Sequence, residues 1–153
     1  MDISVRYAKE QDYEDVERIM KQVQHMHVEW RPDIYRDADV VLPLAMFRER
    51  LQEKQVVVAE CDGRVQGLLI YETRSIAGGP LVERKVLFVD SMAVDESCRG
   101  QGIGHRMFDF AKQIYREGRY DGFELQVNAR NKAARAMYEK YGFTEKSVNM
   151  ELV

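Results

Sequence analysis

The chain has 153 residues, 45% hydrophobic and 32% charged, with a formal net charge of −3. That size and balance fit one globular domain over residues 1–153 with a core of its own. The charge and the lack of any long basic or apolar run argue against nucleic-acid and membrane partners.

The start, Met1-Asp2-Ile3-Ser4-Val5, lacks the basic and apolar segments of a signal peptide. Cys61 and Cys98 match no metal-ligand spacing. Free thiols, no bound metal and a reducing cytoplasm are expected.

In chain order, Ile3 to Ala8 reads as a first strand. Asp12 is placed to cap a helix with Tyr13, Val16, Met20, Val23 and His27 on one stripe. Residues 28–43 read as irregular, broken by Pro32 and Pro43, and a second helix is predicted from Leu44 to Glu53. Val56-Val57-Val58-Ala59 is a buried-strand run, and Asp62-Gly63 turns it into a strand from Val65 to Thr73. Gly78-Gly79-Pro80 turns the chain again, into a strand that ends at Val94. A helix from Gly102 to Glu117 stops at Gly118. Phe123 to Val127 reads as a strand, Lys132 to Tyr141 as a helix closed by Gly142, and Phe143 to Leu152 as a final strand. Several hairpins among helices predict a mixed α/β sheet covered by helices.

The densest signal is Arg99-Gly100-Gln101-Gly102-Ile103-Gly104, between the run Val86 to Val94 and a helix carrying Ile103, Met107, Phe110 and Ile114 at helical spacing. Glycines there permit a sharp turn and clear the amides of side chains. Free N–H groups at the helix start then favour an anion, such as a diphosphate. Other readings compete. A dinucleotide fingerprint, as in an oxidoreductase, needs its third glycine where His105 stands. A nucleotide P-loop needs a terminal Gly-Lys-Ser/Thr, which is absent. A loop with a packing role alone is the bland alternative.

The pattern Arg-x-x-Gly-x-Gly, filled by Arg99, Gly102 and Gly104 after Met92-Ala93-Val94, resembles the acetyl-CoA site of the GNAT N-acetyltransferase family. Downstream, Asn128 to Phe143 resembles that family's C-terminal motif, with Asn131, an Ala-rich helix, Tyr138 and a Gly142-Phe143 close. The first half of the chain matches only in element order. The resemblance implies a mostly antiparallel sheet, about four flanking helices, and a splayed strand pair that holds coenzyme A. It implies an enzyme that moves an acetyl group from acetyl-CoA to an amine of a small molecule or peptide. A non-catalytic acyl-CoA-binding module of the same fold is the alternative.

By position, the resemblance sets the pantetheine arm on the backbone of Met92, Ala93 and Val94. It sets the diphosphate on the amides of Gly100, Gln101, Gly102, Ile103, Gly104 and His105, beside Arg99. The His105 side chain is expected in solvent. Asn131 either contacts the pantetheine or caps the helix from Lys132, and both roles can coexist. Tyr138 is the implied general acid; otherwise its ring packs on the sheet. Asp90 is either the general base, acting through water oriented by Ser91, or a surface carboxylate. The Met92 N–H is the implied oxyanion donor. The acceptor is implied at His25, Glu29, Trp30, Asp33, Tyr35 and Tyr71, whose aromatic faces and carboxylates suit a cation. The segment reads equally as a solvated loop with one anchoring Trp. His27, closing the apolar stripe, is expected packed and hydrogen-bonded rather than catalytic. A homodimer through the final strand is compatible with the size.

Overall fold

The computed structural model describes residues 2–153. Among them, five strands form one sheet in the order β1-β2-β3-β4-β5. Strand β1 is Ile3–Tyr7, β2 Val56–Cys61, β3 Arg64–Gly78, β4 Leu81–Val94 and β5 Gly122–Leu125. All neighbours are antiparallel except β4 and β5, which are parallel. That topology excludes the parallel, doubly wound dinucleotide fold.

Helix α1 spans Tyr13–Trp30, α2 Leu44–Gln52, α3 Ile103–Glu117 and α4 Lys132–Tyr141. The C-cap of α1, Arg31, lies outside the helical region at φ −142, as a residue preceding proline prefers. Asp12 stands at the N-cap without a side-chain capping bond. Its carboxylate instead faces back, accepting from the Lys9 amide at 2.7 Å and from Arg6 at 2.8 Å. The tight turn between β2 and β3 uses Asp62 and Gly63, both at positive φ, the geometry a two-residue hairpin needs.

Two cores cover the sheet. On one face α3 and α4 pack Ile103, Met107, Phe108 and Tyr138 over Val57, Leu69, Leu87 and Val89. On the other, Val16 and Ile19 of α1 and Phe47 of α2 cover Val56, Val58, Leu68, Ile70 and Ala93.

Three expectations change. Strands β3 and β4 run past Thr73 and back before Val86, because they pair with each other as a two-stranded arm, for example Ile76 with Arg84. β5 stops at Leu125, where its partner β4 turns away. No strand forms over Phe143 to Leu152. Among the described residues this tail is held by side chains: Arg135 to Glu145, Lys146 to Glu124 at 2.8 Å, and Arg31 to Glu151. Its alternate residues Val148, Met150 and Leu152 stay exposed. The edge expected to carry a homodimer is therefore not a formed strand.

Candidate active site

β4 and β5 pair only from Val86 with Gly122 to Val89 with Leu125. At that level β4 bulges: Val89 pairs with Tyr71 and Ser91 with Ile70, leaving Asp90 as the extra residue. A bulge bends its strand and adds twist. Beyond it β4 stays on β3, β5 ends, and the other edge of residues 90–94 is open. The Asp95 amide donates to the Gln66 carbonyl at 2.7 Å, which sets the phase of the ladder. Alternate residues of an antiparallel pair turn their backbone groups to opposite edges. Ala93 therefore bonds toward β3, while Met92 and Val94 present N–H and C=O to the open edge. The Val94 carbonyl receives Nε of the exposed Arg99 at 3.2 Å.

The glycine turn follows. Gly100 and Gly102 have φ of 77 and 83. A Cβ at either would meet nothing within 4 Å, so backbone conformation, not crowding, calls for glycine. Gly104 differs: a Cβ there would lie 3.0 Å from Met92 and 3.1 Å from Met137. In α3 the Arg106 amide is the first to bond back, to the Gly102 carbonyl at 3.1 Å. Among the described residues the amides of Gly100 to His105 donate to no protein acceptor. Such orphan donors at a helix N-terminus suit an anion. The His105 ring is not simply solvated, as it packs edge-on against Tyr141 with centroids 5.3 Å apart.

Tyr138 is 9% exposed, its ring edge-on to Phe108 at 5.7 Å. Its hydroxyl has no hydrogen-bond partner among the described residues, yet is not sealed from solvent. Burial raises its pKa above the ordinary phenol value. Asn131 caps α4, its side-chain oxygen accepting from the Ala134 amide at 3.2 Å. Asp90 lies on the opposite, α2 side of the sheet, nearly half exposed, 3.5 Å from Arg50.

The expected acceptor residues divide. Tyr71 is a correction: it is 5% exposed, belongs to the α3-side core, and donates its hydroxyl to the Lys54 carbonyl at 3.0 Å. Alternation along β3 turned it inward. His25 and Glu29 pair at 3.2 Å and line an open groove of about 810 Å³ that also takes in Glu96 and Arg99. Trp30 and Tyr35 do not line it; both pack on His27, at 5.7 and 4.8 Å between centroids. Asp33 is committed to Arg31 at 2.8 Å. His27 is packed as expected, but its ring has no hydrogen-bond partner among the described residues.

Sequence reasoning missed the buried carboxylate that holds this region together. Asp95, 4% exposed, accepts from the Ser97 amide at 2.9 Å, from the Ser97 hydroxyl, from Gln22 at 2.9 Å and from Arg18. Burial pushes its pKa up, but these hydrogen bonds outweigh that and hold the carboxyl well below the usual range. Its α1 partners lie more than 70 positions away, so no local spacing announces them.

Comparison with known proteins agrees with this geometry. A stretch of 60 residues, 39% of the chain, is 37% identical to mycothiol acetyltransferase from Beutenbergia cavernae and spans only 20% of that protein's length. A crystallised mutant of the BH1408 protein from Bacillus halodurans matches at a TM-score of 0.94 and 29% identity, over 98% of both chains. AAC(6')-Iy, solved with the bisubstrate analog CoA-S-monomethyl-acetylneamine, shares the fold at a TM-score of 0.76 and 16% identity, covering 100% of this chain and 98% of its own. The model of the Acetyltransferase (GNAT) family matches residues 20–143, from mid-α1 through the Gly142-Phe143 close. By that match over most of its length, the chain belongs to the GNAT acetyltransferase family.

Proposed function

We propose that this protein is an N-acetyltransferase that moves an acetyl group directly from acetyl-CoA to a primary amine of a small molecule or peptide. The observation that carries the reading is the run of unpartnered amides from Gly100 to His105 beside the open edge of β4. A fold neighbour solved with a coenzyme A bisubstrate analog supports it. Acetyl-CoA would supply an activated acyl carbon and a thiolate leaving group.

The chain's own groups divide the work. Met92 and Val94 offer the pantetheine amides a strand-like partner, with Ala93 anchoring that edge to β3. The amides of residues 100–105 and the Arg99 guanidinium hold the diphosphate. Asn131, already the α4 cap, closes the far side. The Met92 N–H, turned to the open edge, stabilises the oxyanion. Tyr138 stays protonated at neutral pH, since burial raises its pKa, and gives its proton to the departing sulfur. Asp90 reaches an amine only through water. His25 and Glu29, which line the groove, select the acceptor, with Trp30 and Tyr35 packed beside them on His27. Among the described residues no helix is long and apolar enough to cross a membrane. A cytoplasmic setting suits the donor.

Thiol release from acetyl-CoA across a panel of primary amines tests this. Turnover by the wild type is expected, with kcat reduced about 100-fold in Tyr138→Phe and coenzyme A affinity unchanged. Tight coenzyme A binding with no turnover of any amine would favour an acyl-CoA-binding module instead.

A further inference from the structure

Helix α1 bridges the mouth where β4 and β5 part. On the β4 side, Gln22 donates to Asp95 at 2.9 Å and accepts from the Glu96 amide at 3.0 Å. On the far side, the Trp30 carbonyl accepts from Arg130, in the segment that joins β5 to α4. From Gln22 to Trp30 the helix advances about 12 Å at 1.5 Å per residue. Two strand spacings of about 4.8 Å each come to roughly 10 Å, a little less than that span. The helix thus crosses a gap wide enough for one extended chain.

The residues of α1 that look into this gap follow from its packing. Val16 and Ile19 are buried against the sheet, with Met20 and Val23 beside them. His27 follows Val23 by one helical turn on the same stripe, beyond the last core residue. The Trp30 and Tyr35 rings hold the imidazole. Its nitrogens have no protein partner among the described residues, and neither is sealed off.

We propose that His27 is the general base that takes the proton from the acceptor amine. This rests on the acetyltransferase reading above. Burial holds the imidazole pKa below its ordinary value, so the ring is neutral and able to accept a proton near pH 7. Asp90 suits the task less well, as it sits on the exposed edge of the bulge against Arg50. The bound ammonium gives one proton to His27, and the free amine attacks the acyl carbon. The C–N bond forms and the C–S bond breaks. Tyr138 protonates the sulfur and is restored by the second proton lost from nitrogen. His27 then releases its proton to water, leaving amide, thiol and one proton.

The test compares wild type and His27→Ala on the amine that the wild type turns over fastest, with coenzyme A affinity measured by calorimetry. The expected result is a loss of about 100-fold in kcat with affinity unchanged, partly restored by added imidazole. A ring with a packing role alone would not be rescued that way. If His27→Ala fails to fold, His27→Gln keeps a similar volume and should show the same loss. Turnover close to wild type, or a loss that tracks coenzyme A affinity and ignores imidazole, overturns the proposal. An active wild type with an active variant removes this inference alone; a wild type inert toward every amine removes the transfer reading and this one together.

Discussion

At the residue scale, two positions of the glycine turn depend on backbone freedom and a third on space. Gly100 and Gly102 sit in left-handed conformations with open space around them, while Gly104 lies against Met92 and Met137. A substitution at Gly102 therefore acts through conformation and by covering the amides. Gly102→Val should keep the fold at a cost of about 1–2 kcal/mol, the penalty of a left-handed branched residue. It should weaken coenzyme A binding by about 1.5–3 kcal/mol, the range for donors to a charged group. Calorimetric titration beside a thermal melt separates the two effects, and normal affinity would contradict the cradle. The turn was legible because its residues are consecutive. Tyr71 was misplaced because its neighbours gave no sign of which face of β3 would be buried, and the Lys54 carbonyl that takes its hydroxyl lies outside any motif.

At the element scale, periodicity located the four α-helices and the five strands that pair among the described residues, including α4 at its observed bounds, but not the short 3-10 turns at Glu10–Asp12 and Glu96–Cys98. It failed where an alternating pattern lacks a partner. Val148, Met150 and Leu152 alternate with polar residues, yet nothing among the described residues covers them, so a strand-like sequence stays an exposed tail. The lengths of β3 and β4 were hidden for a related reason: their outer halves pair only with each other. The link from α1 to the end of β4 was also invisible, because it rests on Arg18 and Gln22 meeting one buried carboxylate. Asp95 has a folded-state pKa below its ordinary 3.8, so its contribution to stability is complete above about pH 4. As pH falls below that, the unfolded chain takes up the proton first, and the contribution fades toward the folded pKa. Denaturant melts should show Asp95→Asn losing about 3 kcal/mol at pH 7, with the gap from wild type narrowing steadily as pH falls from about 4 to about 2. A gap that stays constant across that range would mean that Asp95 does not stabilise the fold through its charge.

At the scale of the whole molecule, the site arises from one local event. The sheet is nearly all antiparallel, but its single parallel pair ends at the Asp90 bulge. There the edge of β4 is left open, the glycine turn follows within a few residues, and α1 lies across the gap from Asp95 to Arg130. The glycine turn, the part proposed to hold the cofactor, could be read in the sequence, since its residues are adjacent in the chain. The side proposed to take the acceptor could not, since α1, the loop after it and the tail meet only in three dimensions, as in the pairing of Arg31 with Glu151. The most direct measurement is backbone amide NMR during a titration with coenzyme A. The largest shifts should fall on Gly100 to His105, with a second set at Met92 and Val94. Tight binding whose shifts cluster elsewhere, leaving those amides unmoved, would contradict the account.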